Sequence, residues 1–412
     1  MARGALIARG NGRAYGDSAF NETNTVDMRC FNRMLEFDPE TGQLVVEAGV
    51  ILGDVISAFL PRGWFPPVTP GTKFVTIGGM IAADVHGKNH HQCGSFGAFV
   101  DWIDVMTADG EVLRCSRETN SDLFLWTIGG MGLSGIILRA SFRLRPVETG
   151  WIRQTLIPMP DLASVMAAFE ACHEAPYSVA WIDCSGRAAA LGRSVLILGD
   201  HAKCADLDIE KHDRPFETPL RRTLSLSFDA PSFLLNSWTA RAFNELYYRK
   251  ALRMAGESLV DWDVFFYPLD AVLGWNRIYG RKGFMQFQCV LPLDRAQVGI
   301  EALIAEIGDT GQGAFLAVLK RFGRQESRFS FPMEGYSLAL DFPVNATTLA
   351  LLNRLDRITL EQGGRFYLAK DSRMSAKTLC RADPRVETFR KMREENGRAA
   401  SFQSSQSKRL AL

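Results

Sequence analysis

The chain has 412 residues, 47% hydrophobic, 10% aromatic and 23% charged, the profile of an ordinary soluble globular protein long enough for two or three domains. Its 47 basic and 46 acidic residues leave a formal charge of +1, which gives no support to a nucleic-acid binder. No run approaches the roughly 18 apolar residues of a membrane span, MARGALIARG lacks the apolar stretch of a signal peptide, and the eight cysteines are scattered without a C-x-x-C, so a cytoplasmic protein with reduced thiols is expected.

Residues 1–145 are glycine-rich and alternate short apolar runs with turns. RGNGRAYGD (Arg9 to Asp17) follows the apolar ALIA, as a phosphate-cradling loop follows a strand, with its glycines at 10, 12 and 16. GQLVVEAGV reads as a strand and ILGDVISAFLPRG as a helix ended by proline and glycine. FVDWIDVMTADGEVLRC reads as a hairpin with a two-residue turn at Asp109-Gly110. SDLFLWTIGG predicts a helix capped by its serine, and SGIILRASFRLRPV alternates with period two, so it is a strand.

From about residue 150 glycine thins out. Helical patterns such as DLASVMAAFEACHEA alternate with strands such as SVLILGD and FMQFQCVLP, while residues 205–240 show no sustained period and read as an excursion outside the core. At the C-terminus a helix is predicted with Asp383 as cap, Pro384 first, Val386, Phe389 and Met392 or Arg393 on one face, and Gly397 closing it. There is no internal repeat.

Three of the six histidines crowd into VHGKNHH (Val85 to His91), directly after TIGGMIAAD. A metal site is disfavoured, because the Lys88 ammonium opposes a cation and adjacent His90 and His91 diverge on an extended chain. A hydrolase needs a nucleophile elbow, and no G-x-S-x-G occurs. GGMGLSG contains G-x-G-x-x-G at 130, 132 and 135, but a strand follows it and not a helix, so the dinucleotide-fold reading fails. What remains is either a histidine-rich surface loop or several glycine loops around one cofactor whose pyrophosphate is held by backbone N–H groups.

RGNGRAYGD, then PVTPGTKFVTIGGMIAADVHGKNHHQCGSFG, then TIGGMGLSGII resemble, in that order, the vanillyl-alcohol-oxidase class of FAD enzymes. HGKNHH, WNRIYGRKGFMQFQ, LALDFP, YLAKDSR and the ending SKRL resemble one branch of it, the decaprenylphosphoryl-β-D-ribose 2-oxidases, over nearly the whole chain. The resemblance implies an α+β flavoprotein. A PCMH-type FAD-binding domain, shortened at its N-terminus relative to the family, would comprise residues 1–148 and 365–412. A substrate domain, an antiparallel sheet covered by helices, would comprise residues 149–364.

The resemblance implies FAD contacts from Gly10, Asn11, Gly12, Arg13, Tyr15 and Gly16; from Pro70, Gly71, Thr76, Gly78, Gly79, His86, Gly87 and Asn89; and from Gly130, Gly135 and Ile136. Relatives with covalent flavin carry His-Ser where this chain has Arg13-Ala14, so non-covalent FAD is expected, and Cys93 reads as a small buried thiol. Lys88, Gln286, Gln288, Lys320 and Lys370 are the implied substrate contacts, with Tyr15 closing the pocket. Cations suit a phosphate ester and amides suit ribose hydroxyls, and Gln286 and Gln288 lie two apart on one strand face. Lys370, with His86 and Tyr15, is placed beside the flavin as the catalytic group, a cation for the charge that reduction creates.

The implied activity is oxidation of the C2 hydroxyl of a polyprenylphosphoryl-β-D-ribose by hydride transfer to flavin N5. This is the first half of an epimerisation that a short-chain reductase completes. An aldonolactone or alditol oxidase and a truncated, non-catalytic flavoprotein are the alternatives. The family often carries a cysteine where this chain has Ala339, which catalysis does not need. For a lipid-linked substrate, the segment 217–240, with Arg221-Arg222 and its apolar residues, is the expected site of peripheral membrane contact.

Overall fold

A computed structural model of the chain describes residues 4–185, 191–219, 221–229, 231, 237–310, 314 and 316–412. Its class is α+β, built on two antiparallel sheets. The first sheet runs in the order Met34–Phe37, Gln43–Glu47, Ile136–Arg143, Val100–Met106, Val112–Ser116. Helix Leu52–Phe59 lies against it because Leu52, Val55, Ile56 and Phe59, at helical spacing, form one fully buried stripe. The helix ends where predicted, in a 3-10 turn over Leu60–Arg62 that closes on Gly63 at φ +82°.

Two local expectations are corrected. The hairpin spans five residues, since Met106 pairs with Val112 and the Thr107 N–H donates to the Glu111 carbonyl at 2.9 Å. Asp109-Gly110 lies inside that loop, with Gly110 at φ +88°. Helix Ser121–Thr127 is entered from Asn120 in the left-handed region and has no side-chain cap, so its serine is the first helical residue.

The second sheet has eight strands in the order Gly256–Asp261, Trp151–Met159, Ser194–His201, Tyr177–Ile182, Ala317–Phe322, Gly335–Pro343, Phe284–Pro292, Arg365–Phe366. Helices Leu162–Ala171, Ala296–Thr310 and Ala346–Glu361 bury apolar stripes on one face of it, with Leu303, Ile304, Leu351 and Leu355 shut off from solvent. The opposite face carries the polar side chains of the site. Helix Ser237–Arg253 begins inside the stretch read as an excursion and packs on this sheet, with Ala240, Asn244 and Ala251 buried.

The chain ends return to its beginning. Leu6 donates to the Ser401 carbonyl and accepts from Gln403, each at 2.9 Å, beside strand Ile7–Arg9. Helix Arg385–Glu395 buries Val386, Phe389, Met392 and Arg393 as the periodicity requires, and the Asp383 carboxylate accepts the Arg385 N–H at 3.1 Å. It starts one residue later than predicted, with Pro384 at the cap. Among the described residues no helix is long and apolar enough to cross a membrane.

Candidate active site

The glycine loops and the polar face of the larger sheet enclose a cavity of about 890 Å³. One wall comes from Gly10 to Tyr15. A Cβ at Gly10 would lie 2.1 Å from the Thr76 hydroxyl, Gly12 stands at φ +60°, and Asn11 donates to the Phe74 carbonyl at 2.8 Å, so the first loop seats on the second. Among the described residues, the backbone N–H groups of Asn11, Gly12, Arg13 and Ala14 donate to no acceptor. They form a run of donors open to an anion at the cavity wall.

The second wall runs from Pro70 to Gly79. Thr76 caps helix Ile77–Ala82, accepting from the Gly79 N–H, and Gly78 is needed because a Cβ there would meet that of Ala48 at 2.8 Å. Around Gly71 no atom lies within 4 Å of a Cβ position. Its open face borders the cavity. Gly132 and Gly135, both at positive φ, complete the cradle. Unpaired N–H donors and a backbone open to close approach fit a pyrophosphate-bearing cofactor such as FAD.

The floor is a sheet face with period two. Phe284, Gln286 and Gln288 stand beside Ala339 and Asp341, since Gln286 pairs with Asp341 and Gln288 with Ala339. Val318 pairs with Ala339, which brings Lys320 to the same face. Gln286 donates to the Asp341 carboxylate. Gln288 contacts His86 Nε2 at 3.0 Å and the Ser337 hydroxyl at 3.2 Å.

Lys370 ends the short 3-10 helix Leu368–Lys370, which returns the chain to the cavity with its ammonium 3.6 Å from the Tyr15 ring centre. His86 packs among Phe322, Phe331 and Tyr367, and its Nδ1 is buried without a partner.

Burial dominates the electrostatics. It holds His86 well below its ordinary pKa, a shift that the Lys320, His90 and Lys370 charges reinforce, so the ring is neutral. It lowers Lys320 to about 8. Lys370 is lowered by burial, and the Asp341 charge opposes that shift; Asp341 is raised by burial, against the Gln286 hydrogen bond and the Lys370 charge. The Tyr15 phenol is pushed up by burial and by Asp341.

Of the residues singled out in the sequence, the cavity brings together Gly10, Asn11, Gly12, Arg13, Tyr15, Pro70, Gly71, Thr76, Gly78, Gly79, His86, Gly135, Gln286, Gln288, Lys320 and Lys370. Six others do not line it. A Cβ at Gly16 would lie 1.9 Å from the Asp371 carbonyl oxygen, so this glycine serves chain crossing. Gly87 abuts the Thr69 backbone, and Asn89 is buried with its amide donating to Pro67 at 2.8 Å. Gly130 faces the Trp126 carbonyl, and Ile136 is buried in the sheet opposite Met106.

Lys88 turns away from the cavity. Its ammonium donates to the Phe265 carbonyl and sits 4.1 Å over that residue's ring. Burial lowers it to about 7, and the Lys320 charge adds to that. The three crowded histidines diverge as well: His86 faces the cavity, His90 pairs with Gln325 at 2.8 Å, and His91 with the Ala175 carbonyl at 2.8 Å.

Asp341, Asp270 and Trp275 also line the cavity and were not singled out. For Asp341 a signal existed, a lone carboxylate at an inward position of the apolar strand YSLALDFP. Asp270 accepts from the Thr72 hydroxyl at 3.1 Å and the Lys73 N–H at 2.8 Å across nearly 200 residues of chain, a meeting no local pattern reveals.

The FAD binding domain family model matches residues 2–116. The chain is 38% identical to decaprenylphosphoryl-β-D-ribose oxidase of Mycolicibacterium smegmatis, over 99% of this chain and 89% of that protein. It is 33% identical to an uncharacterized protein of Streptomyces coelicolor, over 86% of this chain and 97% of the other. A solved structure of a variant of the BBE-like 1 protein of Physcomitrella patens superposes with a TM-score of 0.65, covering 97% of this chain and 85% of that one, at 17% identity, and so shares its fold.

Proposed function

Because this chain belongs to the decaprenylphosphoryl-β-D-ribose oxidase family, FAD-dependent oxidoreductases acting on CH–OH groups, we propose that it oxidises the C2 hydroxyl of a polyprenylphosphoryl-β-D-ribose. The observation that carries this reading is the inward sheet face, where Gln286, Gln288 and Lys320 converge with Lys370 opposite the glycine cradle. Amide groups suit the ribose hydroxyls, and two buried ammonium groups suit a phosphate ester.

Gly10 to Arg13, Pro70, Gly71, Thr76, Gly79 and Gly135 are assigned to FAD, and Ile137 lines the cavity where Ile136 was expected. FAD held there supplies a two-electron acceptor for the C2 hydrogen. Lys370 presents a cation at the redox face, and Tyr15 holds it there through the ring. His86, neutral and tied to Gln288, contributes a polar edge without adding charge. The cofactor is non-covalent in this reading: the loop has Arg13-Ala14 where covalent relatives carry His-Ser, and Cys93 does not line the cavity.

In the same reading, residues 1–148 with 365–412 form the cofactor unit and 149–364 the substrate unit. The ketone product passes to a reductase that restores the hydroxyl with inverted configuration. The substrate's lipid brings the protein to the inner face of a membrane. Within 217–240, residues 220, 230 and 232–236 lie outside the described residues. Arg221 is already committed to the Tyr267 carbonyl at 2.9 Å and the Pro268 carbonyl at 3.0 Å. Arg222, Leu224 and Phe228 are exposed, and strand Leu224–Ser225 pairs with Val272–Leu273, which borders the cavity.

The test is anaerobic bleaching of the bound flavin. A polyprenylphosphoryl ribose is expected to bleach it, and a free aldonolactone is not. Bleaching by the lactone alone would assign the site to lactone oxidation.

A further inference from the structure

The proposed oxidation must dispose of the hydroxyl proton, and the cavity offers few groups to take it. His86 has its Nε2 against the Gln288 amide. The Tyr15 phenol is held protonated by burial and by its acidic neighbours. Burial lowers both Lys320 and Lys370, yet the site needs them as cations in this reading, and an ammonium has no lone pair to give. Two carboxylates line the cavity among the described residues. Asp270 is occupied by Thr72 and Lys73 at the loop that borders the second wall. Asp341 stands on the substrate sheet, buried, with the Gln286 amide on one oxygen and the charge of Lys370 nearby.

We propose that Asp341 is the catalytic base, taking the proton of the substrate C2 hydroxyl while Gln286 fixes the carboxylate and Lys370 holds the developing oxyanion. The inference rests on the reading of the site as a CH–OH oxidase. In the step, the O–H bond breaks and its proton moves to an Asp341 oxygen, and the carbonyl π bond forms. The C2–H bond breaks, its electron pair leaving with hydrogen to the family's FAD. The substrate loses two electrons, FAD gains them, and Asp341 ends as a neutral acid that returns its proton to water.

The geometry supports this division of labour. Gln286 and Asp341 are direct cross-strand partners, so the amide holds the carboxylate in one orientation on the inward face. The groups facing Asp341 are Lys370 from the returning chain, Tyr15 from the first loop, and Tyr279 beside Phe284; Lys320, cross-strand from Ser337, acts on Lys370. The two phenols stay neutral, and the Lys370 charge favours the ionised carboxylate against its burial. Burial keeps it more basic than a surface aspartate, which suits a base working near neutral pH.

The test uses FAD-loaded wild type, Asp341→Asn and Asp341→Glu, with anaerobic bleaching by a polyprenylphosphoryl ribose across pH and, separately, the affinity for a 2-deoxy analogue that binds but cannot be oxidised. Wild-type bleaching should slow as pH falls through the Asp341 pKa, because a protonated carboxyl accepts nothing. Asp341→Asn should bleach about a hundredfold more slowly or worse, lose that acid limb, and bind the analogue within about threefold of wild type. Asp341→Glu should recover part of the rate.

An Asp341→Asn variant that keeps both wild-type rate and acid limb would overturn the proposal. So would a slow variant whose acid limb persists, which would give the base role to Lys370. Matching losses of rate and analogue affinity would reduce Asp341 to a binding group. Failure of wild type itself to bleach would instead overturn the substrate reading on which the inference rests.

Discussion

The Lys370 ammonium lies 3.6 Å from the centre of the Tyr15 ring, joining two segments 355 positions apart in the chain. The Tyr15 N–H also donates to the Ala369 carbonyl at 2.9 Å, so backbone and side chain fix the same contact. A cation on an aromatic face away from water keeps its charge localised and its position defined. Lys370→Ala should therefore leave a folded, yellow protein whose flavin is bleached by substrate about a hundredfold more slowly, the usual loss for one pre-organised charge. Lys370→Arg should rescue poorly, because a planar fork cannot occupy the place of a compact ammonium. Stopped-flow bleaching decides; a near wild-type rate for the alanine variant removes Lys370 from the redox face.

Two glycines separate loop packing from cofactor contact. At Gly16 a Cβ would overlap the Asp371 carbonyl, and at Gly71 it would meet nothing within 4 Å. Gly16→Ala should cost about 2 kcal/mol of stability or more, since backbone must move. Gly71→Ala should change the stability of the FAD-free protein by no more than about 0.5 kcal/mol while weakening FAD binding, so that stability with FAD present falls only by the lost binding energy. Urea unfolding and flavin release, measured side by side, test the pair; equal stability losses would contradict the assignment of Gly71 to the cofactor.

Lys320 gives the site a pH response of known sign. Burial lowers its pKa to about 8, so below that it is a cation, available in the proposed reading to the substrate phosphate, and above it increasingly neutral. Affinity for the phosphate diester should hold below about pH 8 and fall as pH rises beyond it. Lys88 and Lys370 are depressed in the same sense, so the control is Lys320→Met, which should bind weakly and lose that step. An unchanged pH profile in this variant would place the phosphate elsewhere.

Much of the site was legible because strands fix direction. Gln286 and Gln288 read two apart on a strand and face one way, and Lys320 belongs to the equally regular AVLKRF. The same rule puts Asp341 on that inward face, two residues after Ala339. Loops carry no such rule. In HGKNHH the spacing says nothing of which side chain enters the cavity, and Lys88 turns instead to the Phe265 carbonyl, a residue 177 positions away. The glycine loops were legible as a class, yet their members divide by packing: Gly16, Gly87 and Gly130 accommodate neighbouring backbone and Gly71 stays open. Helix Ser237–Arg253 was missed because its mixed charge and apolar residues show no clear stripe.

Membrane contact is expected through Arg222, Leu224 and Phe228. Replacing Leu224 and Phe228 by Glu removes apolar surface and adds like charge against anionic lipid, so flotation with anionic vesicles should be lost while bleaching by a detergent-dispersed substrate persists. Undiminished flotation of the double variant would exclude this segment as the contact.

Deuterium at C2 reveals whether the substrate's C2 hydrogen is the one removed. A polyprenylphosphoryl ribose labelled only at C2 should bleach the flavin several times more slowly than the unlabelled compound and give a 2-keto product free of deuterium. Equal bleaching rates together with a product that keeps its C2 deuterium would show that another hydrogen is removed.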